Sequence, residues 1–116
     1  MAIYDASRAI CYARGDTVPI AFTLTENSAA LNITGFTFSF TVNSSKNPVD
    51  VSTELFSIAG VLTDAPNGKV EFRPSTANTD LSPAKYYYDV QMVDTGGFIR
   101  TVIKSDFDIE QDIDKA

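Results

Sequence analysis

The sequence contains no histidine, no tryptophan and a single cysteine, Cys11. Each absence removes a class of chemistry. Histidine is the only side chain whose unperturbed pKa lies near neutrality, so Ser-His-Asp and Cys-His catalysis are excluded. The commonest ligand for zinc, copper and haem goes with it. One cysteine permits neither an internal disulfide nor a thiolate cluster. Cations are also scarce: 9 Lys and Arg stand against 15 Asp and Glu, for a net charge of −6. That sign repels a phosphate backbone, and the cations are dispersed without a basic patch. Neither nucleic acid nor an anionic membrane is therefore an expected partner. No apolar run approaches the ~20 residues that a membrane-spanning helix needs. The segment Met1 to Arg8 lacks the basic stretch followed by an apolar core that marks a signal peptide, which points to synthesis in a cytoplasm.

What is present is a length of 116 residues, the size of one domain. Such a chain buries roughly two-thirds of its unfolded surface and needs no disulfide or metal to hold a core. Period-two alternation dominates the pattern and predicts strands. Val18, Ile20, Phe22 and Leu24 share one face of a first long run. Phe36, Phe38, Phe40 and Val42 alternate with Thr37, Ser39, Thr41 and Asn43. Phe56 to Leu62 reads as a strand interrupted at Gly60, and Val70 and Phe72 define another. Tyr86, Tyr88, Val90 and Met92 alternate with Tyr87, Asp89, Gln91 and Val93. Between Phe98 and Lys104 apolar groups occupy both parities, which predicts a strand covered on both sides. Phe107, Ile109 and Ile113 alternate with Asp106, Asp108, Glu110, Asp112 and Asp114.

Turn chemistry separates these runs at Arg14 to Asp16, Glu26 to Ser28, Thr34-Gly35, Asn43 to Pro48, Asp64 to Gly68 and Asp94 to Gly97. About seven short antiparallel strands with turns every ten or so residues predict an all-β sandwich. The segment Asp80 to Tyr88 narrows it to an immunoglobulin-like sandwich. In that architecture a tyrosine near the start of strand F bonds back to the backbone upstream and holds a corner. Tyr86 is the candidate, with Tyr88 at the position where antibody domains carry a cysteine, and Pro83 before the strand. Phe98 to Ile109 is then strand G, joined to strand F through Asp94 to Gly97. The expected organisation is an N-terminal arm over 1–9, the sandwich over 10–110 and an acidic tail over 111–116.

Several groupings invite a chemical reading. Arg14-Gly15-Asp16 is a tripeptide that some extracellular proteins offer to integrins, but it reads better as a turn leading into the first long strand. The carboxylates Asp106 to Asp114 suggest calcium. In an EF-hand loop a glycine would stand where Gln111 does, and carboxylates spaced ~7 Å along a strand do not converge. A solvated face, or an edge guarded by charge, is the expected role. Nothing in the spacing brings Asp64 and Asp80 together as an acid–base pair. Of Tyr86, Tyr87 and Tyr88 only Tyr87 faces outward, which argues against a sugar-stacking platform. Cys11 is expected to act as a small, weakly apolar strand residue. No catalytic, cofactor-binding or metal-ligating residue is assigned, and no cofactor is expected.

The order of elements carries a resemblance. Arg14-Gly15-Asp16-Thr17 opens the first long strand, and Leu31-Asn32-Ile33-Thr34-Gly35 leads into Phe36 to Val42. Gly68-Lys69-Val70-Glu71-Phe72 follows, then Leu81 and Tyr86-Tyr87-Tyr88-Asp89-Val90, and the series closes with Gly97-Phe98-Ile99-Arg100-Thr101 and Phe107-Asp108-Ile109. Over roughly Ala13 to Asp112 this resembles the immunoglobulin-like N-terminal domain of tailed-bacteriophage upper baseplate proteins and related small phage and prophage tail proteins. The resemblance implies a non-enzymatic structural or adaptor protein of the virion, made in the host bacterial cytoplasm. Its implied partners are other tail or baseplate proteins and further copies of itself in the particle. The competing expectation is a surface adhesin or carbohydrate-binding module on the same fold.

Overall fold

Strands form where aromatic and β-branched residues alternate with polar ones, because a pleated ribbon sends successive side chains to opposite faces. The computed structural model describes residues 3–4, 10–26, 28–45 and 54–110. Its strands are β1 (Ile3–Tyr4), β2 (Ile10–Ala13), β3 (Ile20–Thr23), β4 (Thr25–Glu26), β5 (Ala29–Ala30) and β6 (Thr37–Asn43). They continue with β7 (Glu54–Ala59), β8 (Val61–Asp64), β9 (Lys69–Phe72), β10 (Ala84–Val93) and β11 (Ile99–Glu110). A 3-10 turn at Ala65–Asn67 and one helical turn, α1 (Thr76–Thr79), complete the described elements.

A five-stranded sheet, ordered β2-β11-β10-β6-β7, faces a three-stranded sheet, β3-β9-β8, while β1, β4 and β5 form a small third sheet. The pairings are antiparallel except β2 with β11, which run parallel with Ile10 opposite Phe107. This is the immunoglobulin-like β-sandwich. The alternation sorts as expected in β6, where Phe38, Phe40 and Val42 are buried, and in β10, where Tyr88, Val90 and Met92 are. Val70 and Phe72 of β9 come from the other sheet and are fully buried.

An antibody domain places a tryptophan of strand C against a disulfide between strands B and F. Here aromatic rings occupy that centre. Phe40 of β6 stacks on Tyr88 of β10 at 4.9 Å and 15°. Phe22 of β3 stacks on the same tyrosine at 6.4 Å, bridging the two sheets. Phe72 closes the group at 5.4 Å from Phe40. Full burial of each such ring stabilises by roughly 1.5–3 kcal/mol relative to exposure, so the stack replaces the covalent staple with area.

Gly60 is where the chain leaves one sheet for the other. Its N–H donates to the Phe38 carbonyl at 2.9 Å, ending the β7 ladder. A Cβ there would lie 2.8 Å from Val70 Cγ2 and 3.0 Å from both Phe38 Cβ and Phe72 Cε1. Only glycine lets the backbone pass this close to the core. The expected break at Gly60 is thus a change of sheet.

Three expectations are corrected. Val18 is 63% exposed and precedes Pro19, which lacks an N–H, so β3 begins only at Ile20. Phe98 and Ile99 are exposed at 76% and 68%, so the strand beginning there is not covered on both sides. The mixed parity has another cause: the β10–β11 register shifts between Val90 and Gln91, which face Ile103 and Thr101 respectively. Val102 is the extra residue of that bulge, and it turns inward beside Ile103; both are buried. Finally, Asp108 and Glu110 do not guard an edge, because β2 pairs with β11 over Phe107 to Glu110; Asp106 stands just before that paired stretch. Of the expected arm, Ile3 and Tyr4 pair with Glu26 and Thr25 of β4, within the chain's own body. The remainder of the arm and the 111–116 tail, with Asp112, Ile113 and Asp114, lie outside the described residues.

Candidate interaction surfaces

The β10–β11 hairpin has two ends and an outer face, and each was singled out by the sequence. At the corner end the Tyr86 hydroxyl donates to the Ser82 carbonyl at 2.6 Å, the bond expected of a tyrosine corner. Pro83 lies just outside β10, as its missing N–H requires. The Arg14-Gly15-Asp16 turn is drawn into the same end. Asp16 N–H donates to the Ala13 carbonyl at 3.1 Å, and Gly15 N–H to the Thr79 carbonyl at 3.2 Å. The buried Thr79 hydroxyl donates to the Asp16 carbonyl at 2.8 Å, and Arg14 Nε to Asp80 Oδ1 at 2.7 Å. Ser75 caps α1 reciprocally with Asn78, which holds Thr79 in place. The tripeptide is a structural turn whose arginine is already engaged.

The opposite end is built differently. Asp94 Oδ1 accepts the N–H of Gly96 at 2.9 Å and of Phe98 at 3.0 Å. Asp94 N–H donates to the Phe98 carbonyl at 3.1 Å, and Gly97 N–H to the Asp94 carbonyl at 3.0 Å. Gly97 supplies the left-handed conformation, φ +83°. One carboxylate thus organises a rigid tip whose next two side chains, Phe98 and Ile99, stand in solvent. A pre-ordered aromatic–aliphatic pair is the composition of an interface anchor, since little conformational freedom remains to be lost on contact. The mixed parity predicts cover for both Phe98 and Ile99; the glycines before Phe98 are the signal that it belongs to the turn and not to a covered strand.

The outer face of the five-stranded sheet is polar. Asp89 sits directly opposite Lys104, and Tyr87 opposite Asp106. Lys85 Nζ reaches Asp106 Oδ2 at 3.6 Å. Tyr87, Lys104, Ser105 and Asp106 line an open depression of about 370 Å³. Partial burial raises the Asp89 carboxyl above its ordinary value; Lys104 opposes that rise and Glu54 adds to it. Thr41 and Ser57 hydroxyls are bonded at 2.9 Å across β6 and β7.

The remaining candidates stay apart. Asp64 accepts from Asn67 Nδ2 at 2.9 Å within its own turn, while Asp80 holds Arg14 from a distant part of the chain, so the two carboxylates serve separate structural contacts. Cys11 is exposed on β2, not tucked against apolar neighbours. Its thiol pKa is raised, first by a hydrogen bond to Glu110, then by desolvation and by the charges of Glu110 and Asp108. A protonated thiol is a poor nucleophile. Tyr12 is buried against Phe107, and burial, with the charge of Asp16, pushes its phenol to about 12. Among the described residues no three carboxylates or thiols gather as a metal site. No helix among them is long and apolar enough to cross a membrane.

No family model matches the chain, and no curated protein does either. Solved structures do. CopC from Methylosinus trichosporium OB3b superposes with a TM-score of 0.56 at 8% identity, over 98% of this chain and 99% of that one. Murine CRIg matches with a TM-score of 0.42 at 11% identity, over 95% and 96% of the two chains. At these identities the likeness concerns the fold.

Proposed function

We propose that this chain is a non-enzymatic structural or adaptor protein of a bacteriophage tail or baseplate, acting through protein–protein contacts. In this reading it is made in the host bacterial cytoplasm, carried in the virion, and homo-oligomeric in the particle, with neither nucleic acid nor membrane as a partner. The observation that carries the contact role is the Asp94-ordered tip bearing Phe98 and Ile99, 76% and 68% exposed while the other large apolar side chains of the hairpin, such as Val90 and Phe107, are buried. Its assignment to a phage tail rests on the resemblance in element order. Mass spectrometry of purified particles tests the assignment: the chain is expected among the virion proteins, and its absence from mature particles overturns it. The double change Phe98→Ser and Ile99→Ser tests the contact, with incorporation into particles falling at least about tenfold. Unchanged incorporation of that folded variant removes the tip from the interface.

A carbohydrate-binding module is favoured by one observation, the depression in which Tyr87 meets Lys104, Ser105 and Asp106. Tyrosine fluorescence titrated with bacterial surface polysaccharide, compared between the native chain and Tyr87→Ala, separates the two readings. Saturable quenching lost in the variant supports the module.

A further inference from the structure

Edges are where a sandwich of this kind remains chemically unfinished, since an edge strand carries a row of backbone groups with no ladder partner. Among the described residues, β7 is an edge of the five-stranded sheet and β8 an edge of the three-stranded one. The two are consecutive in the chain, so these two edges lie on one flank, with β2 and β3 at the other. Natural edges are usually guarded by lysine, proline or inward-pointing charge. From Leu55 to Thr63 there is no charged residue and no proline. The flank also carries two of the few large apolar side chains left in solvent, Leu55 at 40% and Val61 at 41%.

The direction of the backbone groups follows from the ladder. Gly60 N–H donates to the Phe38 carbonyl, and Ile58 is paired with Phe40. Alternate residues of an antiparallel strand point their N–H and C=O to opposite sides. Ile58 therefore spends its groups on β6, and Ser57 and Ala59 turn theirs outward. One bulge interrupts the strand, at Leu55, because Val42 and Asn43 face Phe56 and Glu54. The stretch Phe56 to Ala59 beyond it is regular.

We infer that the β7 edge pairs antiparallel with the β7 edge of a second copy of this chain, through the outward backbone groups of Ser57 and Ala59. The strand is self-complementary about a two-fold axis at Ile58. Ser57 of each copy then stands opposite Ala59 of the other, and the two pairs exchange four N–H···O=C bonds. The side chains facing each other on the outer surface are small, and Ile58 meets Ile58 on the core side. Glu54, the strand's one charge, lies beyond the Leu55 bulge and beyond the point where the other copy leaves the sheet at Gly60, so no two carboxylates are opposed. A generic partner strand would need its own matching; a second copy supplies it by symmetry. This inference rests on the homo-oligomeric part of the proposed function and not on the tail assignment. Particle mass spectrometry can therefore fail while this pairing stands.

The test is sedimentation of the purified full chain from micromolar to millimolar concentration, with amide exchange followed residue by residue. A monomer–dimer equilibrium is expected, and the Ser57 and Ala59 amides should exchange more slowly as the dimer fills. Ser57→Pro and, separately, Ala59→Pro each remove an outward N–H from both copies and should weaken dimerisation at least about tenfold. Proline on the free side of an edge leaves the β6 ladder intact, and unchanged near-ultraviolet circular dichroism checks this. If either variant fails to fold, exchange in the native chain decides the matter. A monomer throughout overturns the inference. So does a dimer in which Ser57 and Ala59 exchange at the monomer's rate.

Discussion

Phe98 and Phe107 belong to the same arm of one hairpin, yet they serve opposite purposes. Phe107 is fully buried and meets Tyr12 at 5.7 Å, Phe40 at 6.0 Å and Phe56 at 6.2 Å. Phe98 is 76% exposed, lying over the glycine-rich turn. The corner end of the hairpin is wired to the rest of the molecule through Tyr86, Arg14 and Thr79. The tip is wired mainly to itself through Asp94. The difference teaches where this fold keeps its stability and where it leaves apolar surface for something else. A ring that holds the core together cannot also be offered to a partner.

The largest break in that comparison comes from Phe107→Ala, expected to cost about 4 kcal/mol in chemical denaturation, because a cavity opens among three other rings. Next is Tyr86→Phe. It removes only the hydroxyl bonded to Ser82 and should cost about 1 kcal/mol, with the midpoint shifted and the denaturant slope unchanged. Asp94→Ala should cost about 0.5 kcal/mol globally. It should speed amide exchange at Gly96 and Phe98 while leaving the corner's protection alone. A slowed or unchanged tip would show that Asp94 is not its organiser.

Asp89, between the two ends, sharpens the comparison through pH. Burial raises its folded-state pKa above the ordinary 3.8, so folding favours the protonated form. Its contribution is therefore fully present below the unfolded value and is lost as pH rises through the raised one. Thermal melts of Asp89→Asn should lack this component: the variant gains on the native chain as pH rises from the acid range towards neutral. The smallest effect is expected for Phe98→Ala, a change in stability within about 0.5 kcal/mol. A large loss there would mean that the tip belongs to the core after all.

Much of this was legible in the residues, and the reasons are local. Phe38, Phe40 and Val42 alternate without interruption, and a two-residue period on a half-covered sheet leaves one arrangement that keeps them dry. Tyr86 was recognisable because a corner tyrosine stands at a set distance from its strand and needs only the backbone upstream. Val18 misled because its parity fitted, although Pro19 forbade the ladder that parity presumes. Val102 misled for the opposite reason, since a bulge shifts parity and no local residue type announces it.

The sequence by itself determined the sandwich, the corner and the absence of histidine-based chemistry, because alternation, turn residues and side-chain inventory act over a few positions. Only the tertiary structure decided which strands are edges and which apolar residues face water. Those depend on partners distant in the chain. Asp108 and Glu110 of β11 are suited to an edge, yet that end of the strand lies inside the sheet, flanked by β2. β7 carries almost no charge and lies at the margin, because sheet order is settled by packing across the core and not by a strand's own composition.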